Sequence, residues 1–107
     1  MLTNDAKKIL YTLYSEYKAR RSVGSSKLEA SFFHDAHSIH QNFFSDWHFD
    51  DVEEALYELK NEDFLSGYSA DNTLQNCALT NTAIATMENL PKDTLKGILE
   101  FIANFIP

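Results

Sequence analysis

One cysteine (Cys77), two prolines and three glycines are all that this 107-residue chain holds of the residues that staple or interrupt a small fold. A lone cysteine excludes an intramolecular disulfide and fits a reducing compartment. So few glycines and prolines leave little room for long irregular loops, so helix should dominate. No apolar run approaches the ~18 residues of a membrane span, and the N-terminus lacks the basic-then-apolar order of a signal peptide. A cytoplasmic protein without a membrane partner is the resulting expectation. Hydrophobic residues make up 44% and aromatics 13%, which suits one core and one domain over 1–107 and excludes the disordered class.

Basic residues are also scarce where they would matter most. From Asp50 to Asp63 there are seven acids (Asp50, Asp51, Glu53, Glu54, Glu58, Glu62, Asp63) against one base, Lys60, so this segment carries −6 of the net charge of −7. Residues 1–29 reverse the sign: Lys7, Lys8, Lys18, Arg20, Arg21 and Lys27 outnumber Asp5, Glu16 and Glu29. The asymmetry fits a local basic footprint on an acidic body, and equally head-to-tail self-association.

Periodicity predicts a first helix from Asn4 or Asp5 to Arg20, with Ala6, Ile9, Leu10, Leu13 and Tyr17 on one buried stripe and Tyr11 outward. Gly24 breaks it. Ser26 and Glu29 form a capping box, after which Leu28, Phe32, Ala36, Ile39 and Phe43 recur at helical spacing, predicting one second helix as far as Phe43. A turn carrying Trp47 and His48 follows. A third helix is expected from Asp50 as N-cap, with Glu53 three positions on. Its core face is Val52, Ala55, Leu56 and Leu59, and its outer face holds Glu54, Tyr57, Glu58 and Asn61. Phe64 and Leu65 should leave that helix into the core. Short strands over Gly67–Ala70 and Thr73–Leu79 flank an Asp71-Asn72 turn. Thr80 is a good cap for a short helix to about Asn89, and Pro91 suits the first turn of the last one.

The stretch 49–79, FDDVEEALYELKNEDFLSGYSADNTLQNCALT, gives the order helix, aromatic-aliphatic exit, hairpin, Leu-Thr. In this it resembles the winged helix-turn-helix superfamily, most closely the small YjcQ-type bacterial and phage-related proteins of uncharacterised function. The matching residues are Asp51-Val52, Ala55, Leu59-Lys60, Phe64-Leu65, Gly67 and Leu79-Thr80. The likeness spans residues 3–105 in order of elements and 50–83 in residues. Many winged helices carry glycine before the exit and after the Leu-Thr pair, where this chain has Asp63 and Ala83. The resemblance implies a mainly α fold with a small β-hairpin: a three-helix-plus-wing core over 1–79 and a C-terminal helical extension over 80–107. It also implies a DNA-associated, transcription-regulator-like protein with double-stranded DNA as partner.

The residues qualify that expectation. Groove reading relies on Arg, Lys, Asn and Gln and backbone grip on Lys and Arg, whereas the third helix offers Tyr57, Lys60 and Asn61 among carboxylates. The DNA route therefore adds Lys18, Arg20, Arg21 and Lys27 near the helix 1–2 junction. The alternative is a protein-interaction module whose acidic third helix meets a basic partner. His34, His37 and His40 form an HxxHxxH run; on one helix two could share a metal ion, but all three do not converge, so a half-exposed polar face is the reading, with pH sensing as a further option. Cys77 has no local base and reads as a small apolar strand residue. No catalytic spacing or phosphate loop is present, and neither enzyme activity nor a cofactor or metal is expected. The last helix is apolar around a wide arc, and Leu99, Phe101, Phe105 and Ile106 are the expected homodimer surface.

Overall fold

The computed structural model describes the backbone of residues 2–105 and the side chains of residues 2–98. Within these the chain is mainly helical with one small antiparallel sheet. The order is α1 (Asn4–Ser22), α2 (Lys27–Ser31), α3 (Ala36–Phe43), α4 (Phe49–Asn61), β1 (Leu65–Ala70), β2 (Thr73–Leu79), α5 (Asn81–Glu88) and α6 (Lys92–Phe105).

Helix α1 starts because the Thr3 hydroxyl accepts from the Ala6 amide at 3.3 Å, satisfying one of the donors that a helix start leaves open. Its predicted stripe is buried, and Tyr14 joins it. The helix runs two residues past Arg20 and stops where Gly24 adopts φ +100°, a conformation that costs glycine least.

The second helix departs from expectation. The Ser26–Glu29 capping box is present, but α2 ends at Ser31. Phe32 then bridges Ala78, the Phe33 amide donates to the Cys77 carbonyl at 2.8 Å, and the Cys77 amide donates to the His34 carbonyl. His34 turns the chain at φ 65°, and Asp35 starts α3 by accepting from the Ser38 amide at 2.8 Å. The single helix from Ser26 to Phe43 is thus two helices with an extended segment between them. Pairing with β2 supplies backbone hydrogen bonds and buries Phe33 to 3% exposure, leaving Leu28 outside the core at 80%. Local periodicity cannot register a pairing made with residues 77 and 78.

Helix α4 begins one residue before Asp50. His48 is the N-cap and makes no side-chain capping bond, while Asp50 and Asp51 occupy the first turn, where the helix dipole favours acids. The expected Asp50 cap is therefore corrected. Val52, Ala55, Leu56 and Leu59 face the core as predicted. The exit reverses through Asp63 at φ 64°, a left-handed position that aspartate tolerates better than most residues. The Asp63 carboxylate accepts from Thr82 at 3.1 Å and its carbonyl from the Thr80 hydroxyl at 2.6 Å, which ties the exit to α5. Leu65 is buried and Phe64 half-buried.

The two strands pair from Leu65↔Leu79 to Ala70↔Thr73. Asp71 and Asn72, at φ 53° and 63°, make the tight turn whose twist suits a hairpin. A bulge sets Asn76 and Cys77 against Gly67, which returns Cys77 and Leu79 to the core side. Thr80 caps α5 through the Ala83 amide at 3.1 Å. The Pro91 carbonyl accepts from Leu95 at 2.9 Å, so Pro91 immediately precedes α6. Leu95 and Ile98 are half-buried; the side chains of Leu99, Phe101, Phe105 and Ile106 lie outside the described residues. No described helix is long and apolar enough to cross a membrane.

Candidate interaction surface

The outer side of α4 carries Asp50, Glu54 and Glu58 at successive intervals of four, with Asp51 alongside and Glu62 next in the series as the C-cap. That spacing places carboxylates about 6 Å apart along the axis on one face. Tyr57 stands among them, fixed by a 2.6 Å hydrogen bond between its hydroxyl and Ser69 Oγ of β1. Glu54, Tyr57, Glu58, Asn61 and Glu62 line a shallow concavity of about 430 Å³. A smaller one, about 140 Å³, joins this face to the start of α1 through Thr3, Asp5 and Asp51.

Glu58 is tied to α1. Its carboxylate accepts from the Thr3 amide at 2.6 Å and the Thr3 hydroxyl at 2.7 Å. The amide bond, helped by the hydroxyl, holds the Glu58 carboxyl below the usual glutamate range. Like charges at this spacing each cost a helix about 0.2–0.5 kcal/mol, which the bonds from Thr3 to Glu58 offset in part.

The bases expected to grip a duplex sit elsewhere. Lys18 and Arg21 are exposed near the end of α1, and Lys27 is exposed at the start of α2. Arg21 Nη1 donates to the Ser25 carbonyl at 3.2 Å. Arg20 is engaged internally: Nε donates to Glu16 Oε2 at 2.9 Å, Nη1 donates to the Phe32 carbonyl at 2.8 Å, and the guanidinium lies 4.5 Å from the centroid of the Phe33 ring. Eighteen helical residues, roughly 27 Å at 1.5 Å each, separate Thr3 beside the acidic face from Arg21. Residues 65–79 contain neither lysine nor arginine, so the hairpin does not extend the basic group. Lys60 is half-buried and Asn61 exposed on α4. The sequence had no signal for the Thr3–Glu58 or Tyr57–Ser69 bonds; only the i, i+4 spacing of Glu16 and Arg20 hinted at an internal role for Arg20.

The three histidines do not share one helix. His34 lies in the extended segment and packs edge-on against Phe32. His37 stacks on Phe49 with centroids 4.2 Å apart and planes 3° apart. His40 Nε2 lies 2.8 Å from the Trp47 carbonyl, which requires the tautomer or charged form with a proton there. His37 and His40 fasten the turn between α3 and α4, and His34 belongs to the segment between α2 and α3. Among the described residues no three His, Cys, Asp or Glu side chains are placed to hold a metal ion. Burial, with a smaller push from the Asp35 charge, raises the Cys77 thiol to about 12, so it is not a thiolate at neutral pH.

What the fold and surface define is an α+β domain with an acidic face on α4 and the exposed bases Lys18, Arg21 and Lys27 near the α1–α2 junction. No protein-family model matches the chain, and no curated protein or solved structure matches it either.

Proposed function

We propose that this domain is a winged-helix protein-interaction module that presents the outer face of α4 to a basic partner. Three features support the winged-helix half: the turn between α3 and α4, the hairpin directly after α4, and the Phe32↔Ala78 bridge that lays a third extended segment beside β2. The left-handed Asp63 occupies the position where many winged helices have glycine.

The observation that carries the partner half is the row Asp50, Glu54 and Glu58, continued by Glu62 at the C-cap, on the helix that would otherwise face a major groove. Each carboxylate near phosphate adds repulsion where a binding protein gains affinity by releasing counterions. The same row attracts Lys and Arg side chains, and Tyr57 gives them a flat apolar surface to lie on. The duplex-binding reading rests on Lys18, Arg21 and Lys27, because the Arg20 guanidinium is occupied and the hairpin has no base.

Fluorescence anisotropy separates the two. A labelled arginine-rich peptide and a labelled generic duplex are titrated with protein at low and high salt. Saturable, salt-sensitive binding of the peptide with none of the duplex is expected. Duplex binding that weakens steeply with salt, without peptide binding, would return the domain to the regulator class.

A further inference from the structure

A groove of about 320 Å³ lies between α1, the exit of α4 and α5. The buried side chains of Leu10 and Met87 form its floor, and the half-buried Phe64 and Leu90 stand at its sides. Lys7 and Tyr11 line the same groove four residues apart on α1, a spacing that puts both on one face of the helix. Neither the Lys7 ammonium nor the Tyr11 hydroxyl has a hydrogen-bond or ionic partner among the described residues. We propose that this groove binds a small monocarboxylic acid with an apolar body. The body lies on Leu10, Phe64, Met87 and Leu90, and Lys7 and Tyr11 hold the carboxylate.

The chemistry of the lining selects this ligand. The volume is at the lower end of the ~300–1,000 Å³ that small-molecule clefts span, which suits one short chain or ring and not a membrane lipid. An alkyl or aryl body loses water-exposed area here and leaves no polar group unpaired. A peptide would bring amides that the apolar floor cannot satisfy. A lysine keeps its stem on apolar surface and its charged end in water, so the half-buried Lys7 sets one positive charge at the mouth of the groove. Its ammonium and the Tyr11 hydroxyl can both donate, matching the two oxygens of a carboxylate, and hydrogen bonds between charged groups are the stronger ones. Glu62 also stands on the rim, where it is not without a partner. Its charge opposes a second negative charge on the ligand, which disfavours phosphates and dicarboxylates. The groove shares Glu62 alone with the concavity of α4, so occupancy does not depend on the basic partner of that helix.

The chain has two methionines, Met1 and Met87, so methyl NMR of the full chain with isotope-labelled methionine gives a direct reporter. The Met87 signal, assigned with Met87→Leu, reads occupancy of the groove. Three probes with the same alkyl body are titrated below their micellar concentrations: decanoate, decanol and decylammonium. Decanoate should move the Met87 signal saturably at or below roughly millimolar concentration, and the other two should bind about ten-fold or more weakly. Lys7→Gln should weaken decanoate by roughly ten-fold and leave decanol unchanged, a split that a merely structural lysine would not produce. Lys7→Glu should reverse the preference to decylammonium. Thr86→Trp, at an exposed position on the rim, should block all three probes while the far-ultraviolet circular dichroism stays that of the parent. Equal binding of the three probes, a preference of the parent for decylammonium, or no response to any of them would overturn the proposal. So would decanoate affinity unchanged in both Lys7→Gln and Thr86→Trp.

Discussion

The Arg20 guanidinium on α1 donates to the carbonyl of Phe32, twelve residues on, at 2.8 Å. The bond stabilises the point where α2 gives way to an extended segment, and the guanidinium also lies over the Phe33 ring. Arg20→Ala should therefore cost about 1.5–3 kcal/mol in urea unfolding, as expected for a hydrogen bond to a charged group. Arg20→Lys should recover only part of this, because an ammonium cannot bond Glu16 and Phe32 in one plane while stacking on a ring. An exposed base that served only a partner would show neither loss.

Two carboxyls are held low by backbone amides: Asp35 chiefly by Ser38 and Glu58 chiefly by Thr3. In each the folded state binds its proton less readily than the unfolded chain. The stabilisation is complete above the ordinary values of 3.8 and 4.5 and is lost as pH falls through the lowered ones. Stability should thus decline with acid below about pH 4.5. Carbon-detected titration of Thr3→Val should show the Glu58 midpoint moving up and that of Asp35 staying in place.

Alkylation should spare Cys77. With its thiol pushed up to about 12, the thiolate fraction at pH 8 is on the order of a thousand-fold below that of a free cysteine. Iodoacetamide should label the native protein only through unfolding and the denatured protein at once. Rapid native labelling would contradict the burial of this strand.

Two glycines should respond oppositely to alanine. At Gly67 a Cβ would meet the Gln75 carbonyl oxygen at 2.8 Å, across the bulge. Gly67→Ala should destabilise by about 1–3 kcal/mol. Gly97 lies within α6 with nothing inside 4 Å of a Cβ, so Gly97→Ala should stabilise by roughly up to 1 kcal/mol through helix propensity. Thermal melts of the pair provide the comparison.

Glu54→Lys should make the domain more stable and a poorer partner. It changes two like-charge neighbours, Asp50 and Glu58, into opposite ones, a gain of about 0.5–1 kcal/mol on the exposed face. Affinity for the arginine-rich peptide should fall in the same variant.

Legibility in the sequence followed the range of the interactions involved. Caps and turns are set within four residues, so Ser26, Thr80 and the Asp71-Asn72 turn could be read directly, as could the stripes of α1 and α4. The run from Leu28 to Phe43 misled because Phe33 and His34 bond to Cys77, far along the chain, and the spacing that continued across the break was coincidental. At α4 the capping pattern Asp50–Glu53 was outcompeted by the packing of Phe49 against His37 and His40. The acids of α4 were visible in composition. That α4 meets the start of α1 through Glu58 and Thr3, and that Arg20 is engaged internally, follows only from tertiary packing.

The paired backbones of Phe33 and Cys77 close a ring of chain that contains all of α3, α4 and β1. Closing so long a ring loses entropy that only the finished core restores, so this junction should form late in folding, and breaking it should release several elements at once. No fragment ending before β2 contains the backbone partner of Phe33. The domain should consequently melt as a single unit, and a protease nick anywhere between α3 and β1 would leave two pieces that hold together only while the other remains.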